Sequence, residues 1–399
     1  MKRKVLIWGT GVRGEQAYQR LKEHRQYVVV AFGENNNKLW GQQKYGLPII
    51  GPDEIFEDID GIVIASGYFL DIREQLKKIT KVPIYNQVNE IMYGDVDIDI
   101  TGFCNAKCKW CVTGYRNLVC NKIDTNYMSV ELFARIYQHL YKSGIIEKST
   151  KIGLFNWGEP FLNRDYQHIL EYLTKEKQAF GISTNASIMR CIEDKELYKY
   201  CKSFIFSMSG FSQQSYDRIH GFSFELIKKN IENIYQNIKA CGFEGDASIS
   251  YHVYKFNVNE VAMAREFAES LGIRFNPYYP YFNGNSMMEK YLENKLTESM
   301  RKEAEEELFL GHVDDLLRQR PKEYKCSLEN SITIDCNANM VLCCASDVEC
   351  ENYTWGSIFD INSYDEMRKE RRQMLLCSTC AKCKQLKIDY WMENNPGYD

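Results

Sequence analysis

Residues 98–111 have the sequence IDITGFCNAKCKWC, in which Cys104, Cys108 and Cys111 follow directly on a predicted strand. Three thiolates this close together on one loop can bind three irons of a [4Fe–4S] cluster and leave the fourth iron open to another ligand. The next cysteine, Cys120, lies nine residues beyond Cys111 and does not continue the spacing. The alternatives are buried structural cysteines or a zinc site, which usually has four protein ligands. The loop favours a cluster with an open iron.

From residue 96 to about residue 279, predicted strands alternate with predicted helices around this loop. Six strand–helix repeats predict a partial (β/α)6 barrel, in which the active site lies at the C-terminal ends of the strands. The strands are predicted at Val96–Ile100, Lys151–Phe155, Ala179–Ser183, Phe204–Met208, Ser248–Tyr254 and Ile273–Asn276. The helices are predicted near Val130–Lys142, Asp165–Lys175, Asp194–Lys199, Phe224–Ala240 and Val258–Ser270.

The C-x3-C-x2-C spacing after a barrel strand resembles the radical S-adenosylmethionine (SAM) superfamily. Asn156-Trp-Gly-Glu-Pro160 resembles the family's Gly-Gly-Glu motif, with Trp157 in place of the first Gly, and Ser183-Thr-Asn185 ends the third strand with Ala186 in place of a Gly. The resemblance covers about residues 96–280. It implies a [4Fe–4S] cluster on Cys104, Cys108 and Cys111, with SAM as cofactor. The SAM contacts that it implies are Trp110, Gly158, Glu159, Ser183, Asn185, Ser207 and Ser209.

The last 74 residues contain eight of the fifteen cysteines. Cys326 and Cys343 flank a predicted β-hairpin, Ile332–Leu342, and a run C-x2-C-x2-C follows downstream. The pattern resembles the auxiliary-cluster domains of radical SAM enzymes, and it favours the short twitch form, with one auxiliary [4Fe–4S] cluster, over the longer SPASM form. The resemblance implies that the ligands are four of Cys326, Cys343, Cys377, Cys380 and Cys383. Cys336, Cys344 and Cys350 are surplus; a second auxiliary cluster and a zinc ribbon are the alternatives.

The first 95 residues have no cysteine and predict a small parallel α/β unit. Gly9, Gly11 and Gly14 form a G-x-G-x-x-G pattern between a predicted strand and a predicted helix, and Glu34 closes the next strand. In a dinucleotide site the loop would bind phosphate and the acid a ribose hydroxyl. This section also looks like the Rossmann-type domains of polysaccharide-biosynthesis enzymes, so the candidate ligand is a nucleotide or nucleotide sugar. NAD(P) and a docking or structural domain are alternatives.

The composition excludes several classes of protein. The 399 residues are 44% hydrophobic and 26% charged with a net charge of −4, so the chain is globular and has no broad basic field for nucleic acid. No run approaches a membrane span and no signal peptide is apparent, so we expect a cytoplasmic protein. We expect an N-terminal Rossmann-like domain at 1–95, a barrel at 96–285, a charged, solvated helical connector at 286–325 and an α+β iron–sulfur domain at 326–399.

The resemblance implies an enzyme, a radical SAM oxidoreductase or epimerase that takes electrons from a donor such as flavodoxin or ferredoxin. The N-terminal unit favours a carbohydrate or nucleotide-linked small molecule as substrate, undergoing dehydrogenation or epimerisation. Peptide maturation and a non-enzymatic iron–sulfur or nucleotide-binding scaffold are the alternatives. No catalytic acid, base or hydrogen donor is identified.

Overall fold

The structure is a computed structural model that describes residues 2–22, 24, 26–55, 58–66, 68–85, 88, 91, 95–119, 125–280, 282–310, 328 and 331–383. The chain divides into two compact units, Met1–Gly94 and Asp95–Asp399. Both are mixed α/β, as the sequence predicts. Cys120 and Cys326 lie outside the described residues.

In the first unit, the strands form one sheet in the order β3-β4-β2-β1-β5-β6. All pairs are parallel except β3 with β4, and the parallel strands follow the order of a doubly wound half-sheet. Both faces of the sheet are covered by apolar side chains, as a buried parallel sheet requires. The strands are β1 Arg3–Trp8, β2 Tyr27–Gly33, β3 Gln43–Lys44, β4 Leu47–Ile50, β5 Gly61–Ile64 and β6 Ile84–Tyr85; the helices are α1 Val12–Leu21 and α2 Phe69–Ile79.

In the second unit, the described residues form a nine-stranded sheet in the order β12-β11-β10-β9-β8-β7-β13-β14-β15. Strands β7 to β12 are all parallel and follow chain order, as a partial barrel requires. These strands are β7 Val96–Ile98, β8 Ile152–Gly153, β9 Phe180–Thr184, β10 Cys201–Met208, β11 Asp246–His252 and β12 Arg274–Tyr278. All six lie where the sequence predicts a strand, with ends shifted by up to three residues.

The barrel helices cover the apolar side of this sheet. For example, α4 begins after Ser129, whose hydroxyl accepts a hydrogen bond from the Leu132 amide, and it buries Phe133, Ile136 and Leu140. The helices are α3 Val112–Val119, α4 Val130–Lys142, α5 Tyr166–Lys175, α6 Gln213–Ile219, α7 Phe224–Ala240 and α8 Val261–Ser270. The helix predicted at Asp194–Lys199 is wrong. That segment forms turns that end where the Cys201 amide bonds to the Tyr198 carbonyl at 3.0 Å.

The predicted C-terminal hairpin is confirmed, and it has a partner that the sequence did not indicate. Strands β13 Ile332–Ile334 and β14 Asn339–Val341 pair antiparallel, and β15 Thr354–Ser357 follows on β14. Strand β13 also pairs in parallel with β7, with Ile332 opposite Val96 and Ile334 opposite Ile98. The hairpin therefore extends the barrel sheet at its first strand. Helices α11 Tyr364–Met374 and α12 Ser378–Lys382 complete the described part.

The charged segment after β12 is not a solvated connector, which corrects the sequence-based expectation. Helices α9 Asn285–Leu292 and α10 Glu298–Glu307 are amphipathic, and their apolar sides are buried. Met287, Met288 and Tyr291 pack in one cluster with Trp110 and Phe282. The remainder of this segment, residues 311–325, lies outside the described residues.

Among the described residues, no helix combines the length and the apolar character that crossing a bilayer requires.

Candidate active site

The three cysteines of the first motif lie on the segment Asp99–Cys111, named here the cysteine loop, between β7 and α3. Their spacing is set by local hydrogen bonds. The Ala106 amide donates to Cys104 Sγ at 3.4 Å, and the Cys111 amide donates to the Cys108 carbonyl at 3.1 Å. From α3, Asn117 Nδ2 reaches back to the carbonyls of Cys104 and Ala106, both at 2.7 Å. The helix that follows the loop therefore holds the loop in shape.

The three thiols share one poorly solvated environment. Desolvation raises the pKa of Cys104 to about 12, and the nearby Glu159 carboxylate adds to the shift. Desolvation also raises the pKa of Cys108 well above its usual range, with further contributions from Cys111 and Cys104. Three thiolates in such a site would repel one another unless a cation neutralises them. No three His, Cys, Asp or Glu side chains in the described part of the chain converge on a single metal ion. Cys104, Cys108 and Cys111 supply from one loop the three thiolate ligands that a [4Fe–4S] cluster with an open iron needs, so the donor set fits a cluster.

Trp110 is 3% exposed and lies in the cluster with Phe282 and the α9 side chains. Its ring meets Phe282 edge to face at 5.6 Å, and its Nε1 donates to Glu307 at 2.9 Å. Glu307, itself 3% exposed, also pairs with Lys109 at 3.1 Å. The structure thus gives Trp110 a packing role beneath the cysteine loop, and its predicted contact with SAM stays a prediction.

Gly158 and Asp99 join the loop after β8 to the cysteine loop. A Cβ atom on Gly158 would lie 1.4 Å from the Thr101 carbonyl oxygen, so only glycine fits there. Asp99 Oδ2 accepts hydrogen bonds from the amides of Trp157 at 2.9 Å and Gly158 at 3.2 Å. Asp99 is buried, and the loss of solvent raises its pKa to about 7 against these hydrogen bonds. The two loops therefore pack backbone against backbone at the site.

Glu159 connects the loops after β8 and β9. Its Oε1 accepts from the Phe161 amide at 3.1 Å and from Thr184 Oγ1 at 2.7 Å, and its Oε2 accepts from the Asn185 amide at 2.8 Å. Burial raises the pKa of this carboxyl to about 7. Three protein donors already occupy it, so in this structure Glu159 positions its neighbours.

Asn185, a predicted SAM contact, lies beside Cys104. Its Nδ2 donates to Cys104 Sγ at 3.5 Å and to Asn105 Oδ1 at 3.1 Å. The next residue, Ala186, has φ 55, in the left-handed region where the family has a Gly. Ser183 lies in β9, two residues before Asn185, and pairs with Ile205 of β10. Ser183 and Asn185 are both predicted to contact SAM. Of these two, Asn185 is the one that hydrogen-bonds to the cysteine loop.

The inner face of strands β9 to β11 carries several small, polar side chains, with Ile205 among them. A Cβ on Gly181 would meet Ser203 Oγ at 2.5 Å, which places both on one side of the sheet, and alternation then places Ser207 there too. In register with Ser207 lie Ser250 and then Asn276. Barrel interiors are ordinarily filled by Val, Ile and Leu. Here the side chains of Ser207, Ser250 and Asn276 form no hydrogen bond with any other described residue, and none of the three is fully buried.

Ser209 and two histidines lie beyond this polar layer. Ser209 is fully buried, and its hydroxyl has no partner among the described residues. His252 ends β11, where its ring meets that of Tyr278 at 4.8 Å. Loss of solvent lowers the pKa of His252 to about 4, so its imidazole is neutral at pH 7. His220 lies 6.4 Å from His252, ring to ring, and its carbonyl accepts from the Lys107 amide at 3.3 Å.

The C-terminal cysteines form a second, looser group, named here the C-terminal cysteine region (Cys343–Cys383). Desolvation raises the pKa of Cys380 to about 12, and Cys377 and then Cys343 add to the shift. The Cys380 amide also donates to Cys377 Sγ at 3.5 Å. Cys383 Sγ donates to Asn285 Oδ1 at 3.7 Å. The structure thus brings Cys343, Cys377 and Cys380 together.

Cys350 is the residue that sequence reasoning passed over. Desolvation raises its pKa to about 12, and both Asp347 and Cys343 contribute. Its proximity to Cys343 makes it a candidate ligand, and no local spacing would have indicated it. Cys343 and Cys344 lie in the loop that follows β14, which ends at Val341.

The glycine loop of the first unit has the predicted context between β1 and α1. Gly14 is required, since a Cβ there would lie 2.0 Å from the Gly9 carbonyl oxygen, whereas a Cβ on Gly11 would have no heavy atom within 4 Å. Glu34 Oε2 accepts from Thr10 Oγ1 at 2.7 Å. Lys44 Nζ reaches the Thr10 carbonyl at 2.7 Å. Thus Glu34 contacts the glycine loop itself, and α1 begins at Gly11 without a side-chain cap.

Comparison with known families decides what this arrangement is. Residues 98–268 match the family described as the Radical SAM superfamily. These residues form a radical SAM domain. The chain therefore carries the domain with which this family of enzymes binds a [4Fe–4S] cluster and SAM. Residues 1–86 match a second family, described as C2185-like, N-terminal.

Solved structures of other radical SAM proteins resemble the chain at low identity. Streptococcus suis SuiB bound to its precursor peptide SuiA is 18% identical, with 84% of this chain and 79% of that chain covered and a TM-score of 0.45. BtrN in complex with AdoMet and 2-DOIA is 14% identical, with 71% and 87% covered and a TM-score of 0.36. The anSMEcpe structure with bound AdoMet is 14% identical, with 72% and 82% covered and a TM-score of 0.43. No curated protein matches the chain.

Proposed function

We propose that this chain is a radical SAM enzyme that removes a hydrogen atom from a carbohydrate or nucleotide-linked small molecule, in a dehydrogenation or an epimerisation. The observation that carries the proposal is the cysteine loop at the rim of a sheet whose inner face is polar. When bound, a [4Fe–4S] cluster supplies the electron that cleaves SAM to methionine and a 5′-deoxyadenosyl radical.

Cys104, Cys108 and Cys111 would hold this cluster. Gly158 packs tightly against Thr101, and Asn117 hydrogen-bonds to the cysteine loop. These contacts fix the conformation of the loop that carries the three thiols. Asn185 and Ser207 would contact SAM from the ends of the neighbouring strands, whereas the full burial of Ser209 does not fit its predicted contact with SAM. Glu159 would act as a positioning residue, because its carboxylate already bonds to Thr184 and to the loop after β9.

The polar inner face supports an uncharged, hydroxyl-bearing substrate. Ser207, Ser250 and Asn276 lie side by side in register, and neutral His252 lies one position further toward the rim. Such groups can both donate and accept hydrogen bonds, as hydroxyl groups require. Tyr278 adds an aromatic wall beside His252.

The first unit by itself supports a nucleotide ligand. The doubly wound strand order places the N-terminus of α1 at the end of β1, where backbone N–H groups favour phosphate. Gly11 leaves open space at this point, so a ligand can approach the backbone there.

The C-terminal cysteine region would bind the auxiliary cluster. With both clusters loaded, we expect about eight iron atoms per chain, four for each cluster. Replacing Cys343 and Cys380 by alanine should leave about four. A count near twelve in the unaltered chain would instead support two auxiliary clusters, and a count near four would contradict the auxiliary cluster.

The activity is tested by anaerobic reconstitution with iron and sulfide, followed by dithionite and SAM. We expect 5′-deoxyadenosine from the unaltered chain and from a Cys191→Ala control, whose thiol is exposed and belongs to neither predicted ligand set. The triple variant Cys104→Ala, Cys108→Ala, Cys111→Ala should form none. Equal amounts of 5′-deoxyadenosine from the triple variant and the unaltered chain would contradict the proposal that the chain is a radical SAM enzyme.

The substrate class is tested with nucleotide sugars in the intact chain. A ligand at 100 times its Kd should stabilise the protein by about 2.7 kcal/mol, which thermal unfolding resolves. Gly11→Ala should remove this shift without lowering the Tm of the free protein, since its methyl group enters open space. If no nucleotide sugar shifts the Tm and Gly11→Ala leaves turnover unchanged, the carbohydrate proposal fails, and a peptide substrate becomes the better candidate.

A further inference from the structure

The short segment Phe282–Ser286, named here the bridging segment, contacts both cysteine regions. On one side it bonds to the end of the cysteine loop. The Asn283 amide donates to the Trp110 carbonyl at 2.7 Å, and the Val112 amide donates to the Asn283 carbonyl at 3.1 Å. Asn283 and Cys111 thereby form an isolated parallel bridge. The third ligand of the first motif is thus held by a β-type contact from outside its own loop.

On its other side, the bridging segment bonds to the C-terminal cysteine region. The Asn285 amide donates to the Ala345 carbonyl at 2.9 Å, and the Ser286 amide donates to Asp347 Oδ2 at 3.0 Å. The side chain of Asn285 accepts from Cys383 Sγ. Asp347 is fully buried, so its bond to the first turn of α9 is shielded from water.

Gly284 lets the two regions approach this closely. Its φ of 133° is a conformation that side chains rarely adopt, and a Cβ there would lie 2.7 Å from Asp347 Oδ2 and 3.4 Å from Val112 Cβ. The residue therefore stands directly between the first turn of α3 and the C-terminal cysteine region. A larger residue would push the two apart.

We propose that the bridging segment couples the two cysteine regions, with Asn285 as the positioning residue for Cys383. Ordering of either region fixes the bridging segment and so orders the other, and this coupling is reciprocal. Iron bound in the C-terminal region then slows the loss of iron from Cys104, Cys108 and Cys111. The inference rests on the proposed function only in that both regions bind iron.

The first test uses the metal-free chain, so that it is independent of the proposed function. Asn285→Ala removes only the side-chain bond to Cys383. We expect amide hydrogen exchange to rise about fivefold or more in residues 377–383, around Cys383, and also in residues 108–116. Asn285→Asp keeps an acceptor oxygen for the thiol and should restore slow exchange in both.

Lys290→Ala is the matched control. Lys290 pairs with Glu349 at 2.5 Å and so joins α9 to the same region, but both side chains are substantially exposed. Its loss should leave exchange unchanged in both regions. If Asn285→Ala speeds exchange in residues 377–383 alone, the coupling is refuted, because a merely local role would do the same.

The second test uses the iron-loaded chain. In the unaltered background, Cys343→Ala with Cys380→Ala should speed iron release from the first site to a chelator about fivefold or more. In the Asn285→Ala background the same pair should add little. An equal acceleration in both backgrounds would overturn the role of Asn285. A chain that never binds iron at its C-terminal cysteines would contradict the auxiliary cluster, and the exchange experiment would still decide the coupling.

Discussion

The cysteine loop takes all its thiols from the eight residues Cys104–Cys111, whereas the thiols of the C-terminal cysteine region are spread from Cys343 to Cys383. In the cysteine loop, the neighbouring helix α3 and the close contact of Gly158 with Thr101 set the spacing. In the C-terminal region, three separate segments must be brought together by β14, α12 and the bridging segment. Local spacing therefore specifies the first site, and tertiary packing specifies the second.

Among the substitutions that test this contrast, we expect Gly158→Ala to have the largest effect on stability and on iron binding. The new methyl group would overlap the Thr101 carbonyl oxygen, so the cysteine loop must move, at a cost of about 3 kcal/mol or more. Urea unfolding of the metal-free chain measures the loss. After iron loading, the variant should retain about four irons, all of them in the C-terminal region.

Gly11→Ala is the control for that substitution, because its methyl group meets no heavy atom within 4 Å. If Gly158→Ala keeps all its iron and its stability, the cysteine loop does not depend on the close contact, and the contrast between the two regions is lost.

Glu307→Ala should have the next largest effect, since it leaves Lys109 and the Trp110 Nε1 without this buried partner beneath the cysteine loop. We expect a loss of about 3 kcal/mol in the free energy of unfolding. Glu303→Ala is the matched control, because Glu303 pairs with the same Lys109 at 2.6 Å but its side chain is 46% exposed. That variant should lose less than about 1 kcal/mol. Equal losses would show that Glu307 contributes no more than a surface ion pair.

Asp99→Asn should cost about 1–2 kcal/mol, because an amide cannot accept from Thr101 on one side and from Trp157 and Gly158 on the other. The pKa of Asp99 is raised to about 7 by burial, so its contribution to stability is complete below about pH 4 and is lost as the pH rises through 7. The urea midpoint should therefore fall less steeply from pH 4 to pH 8 in the variant than in the unaltered chain. Part of the slope should remain, because burial also raises the pKa values of Glu159 and Asp97 to about 7. An unchanged slope would contradict the raised pKa.

Ala186→Gly and Ala338→Gly form a pair of turn substitutions, one after β9 and one between β13 and β14, and their effects should be the smallest. Both alanines are buried with positive φ, 55° and 68°. Glycine relieves about 1–2 kcal/mol of backbone strain but loses a buried methyl group and gains freedom when unfolded. We expect each to change the urea-derived stability by less than about 0.5 kcal/mol. A change above about 1 kcal/mol in only one of them would show that the two turns are strained to different degrees.

The features that local pattern encodes were predictable from the sequence. The cysteine loop, the six parallel strands and the hairpin at Ile332–Leu342 each have a periodicity or a spacing that is visible within a few residues. The pairing of β13 with β7 was not predictable, because a parallel contact between distant segments leaves no local pattern. Cys350 was missed for the same reason.

Charge density misled the interpretation of the segment after β12. Its many Glu, Lys and Arg residues predicted a solvated connector, yet Met287, Met288 and Tyr291 share one helix face and pack on Trp110. The same packing explains why Trp110 is buried beneath the cysteine loop. A helix face of three apolar residues was the signal that could have corrected the interpretation of this segment.

The parallel pairing of β13 with β7 has a consequence for biosynthesis. Ile332 leaves the ribosome more than two hundred residues after Val96, its partner. At ordinary elongation rates this takes about 10 s or longer, during which the first barrel strand has an unpaired edge. Because contacts between distant segments form slowly, closure of this edge should be a late folding event. A chain truncated before residue 332 should therefore leave that edge exposed and aggregate more readily than the full-length protein.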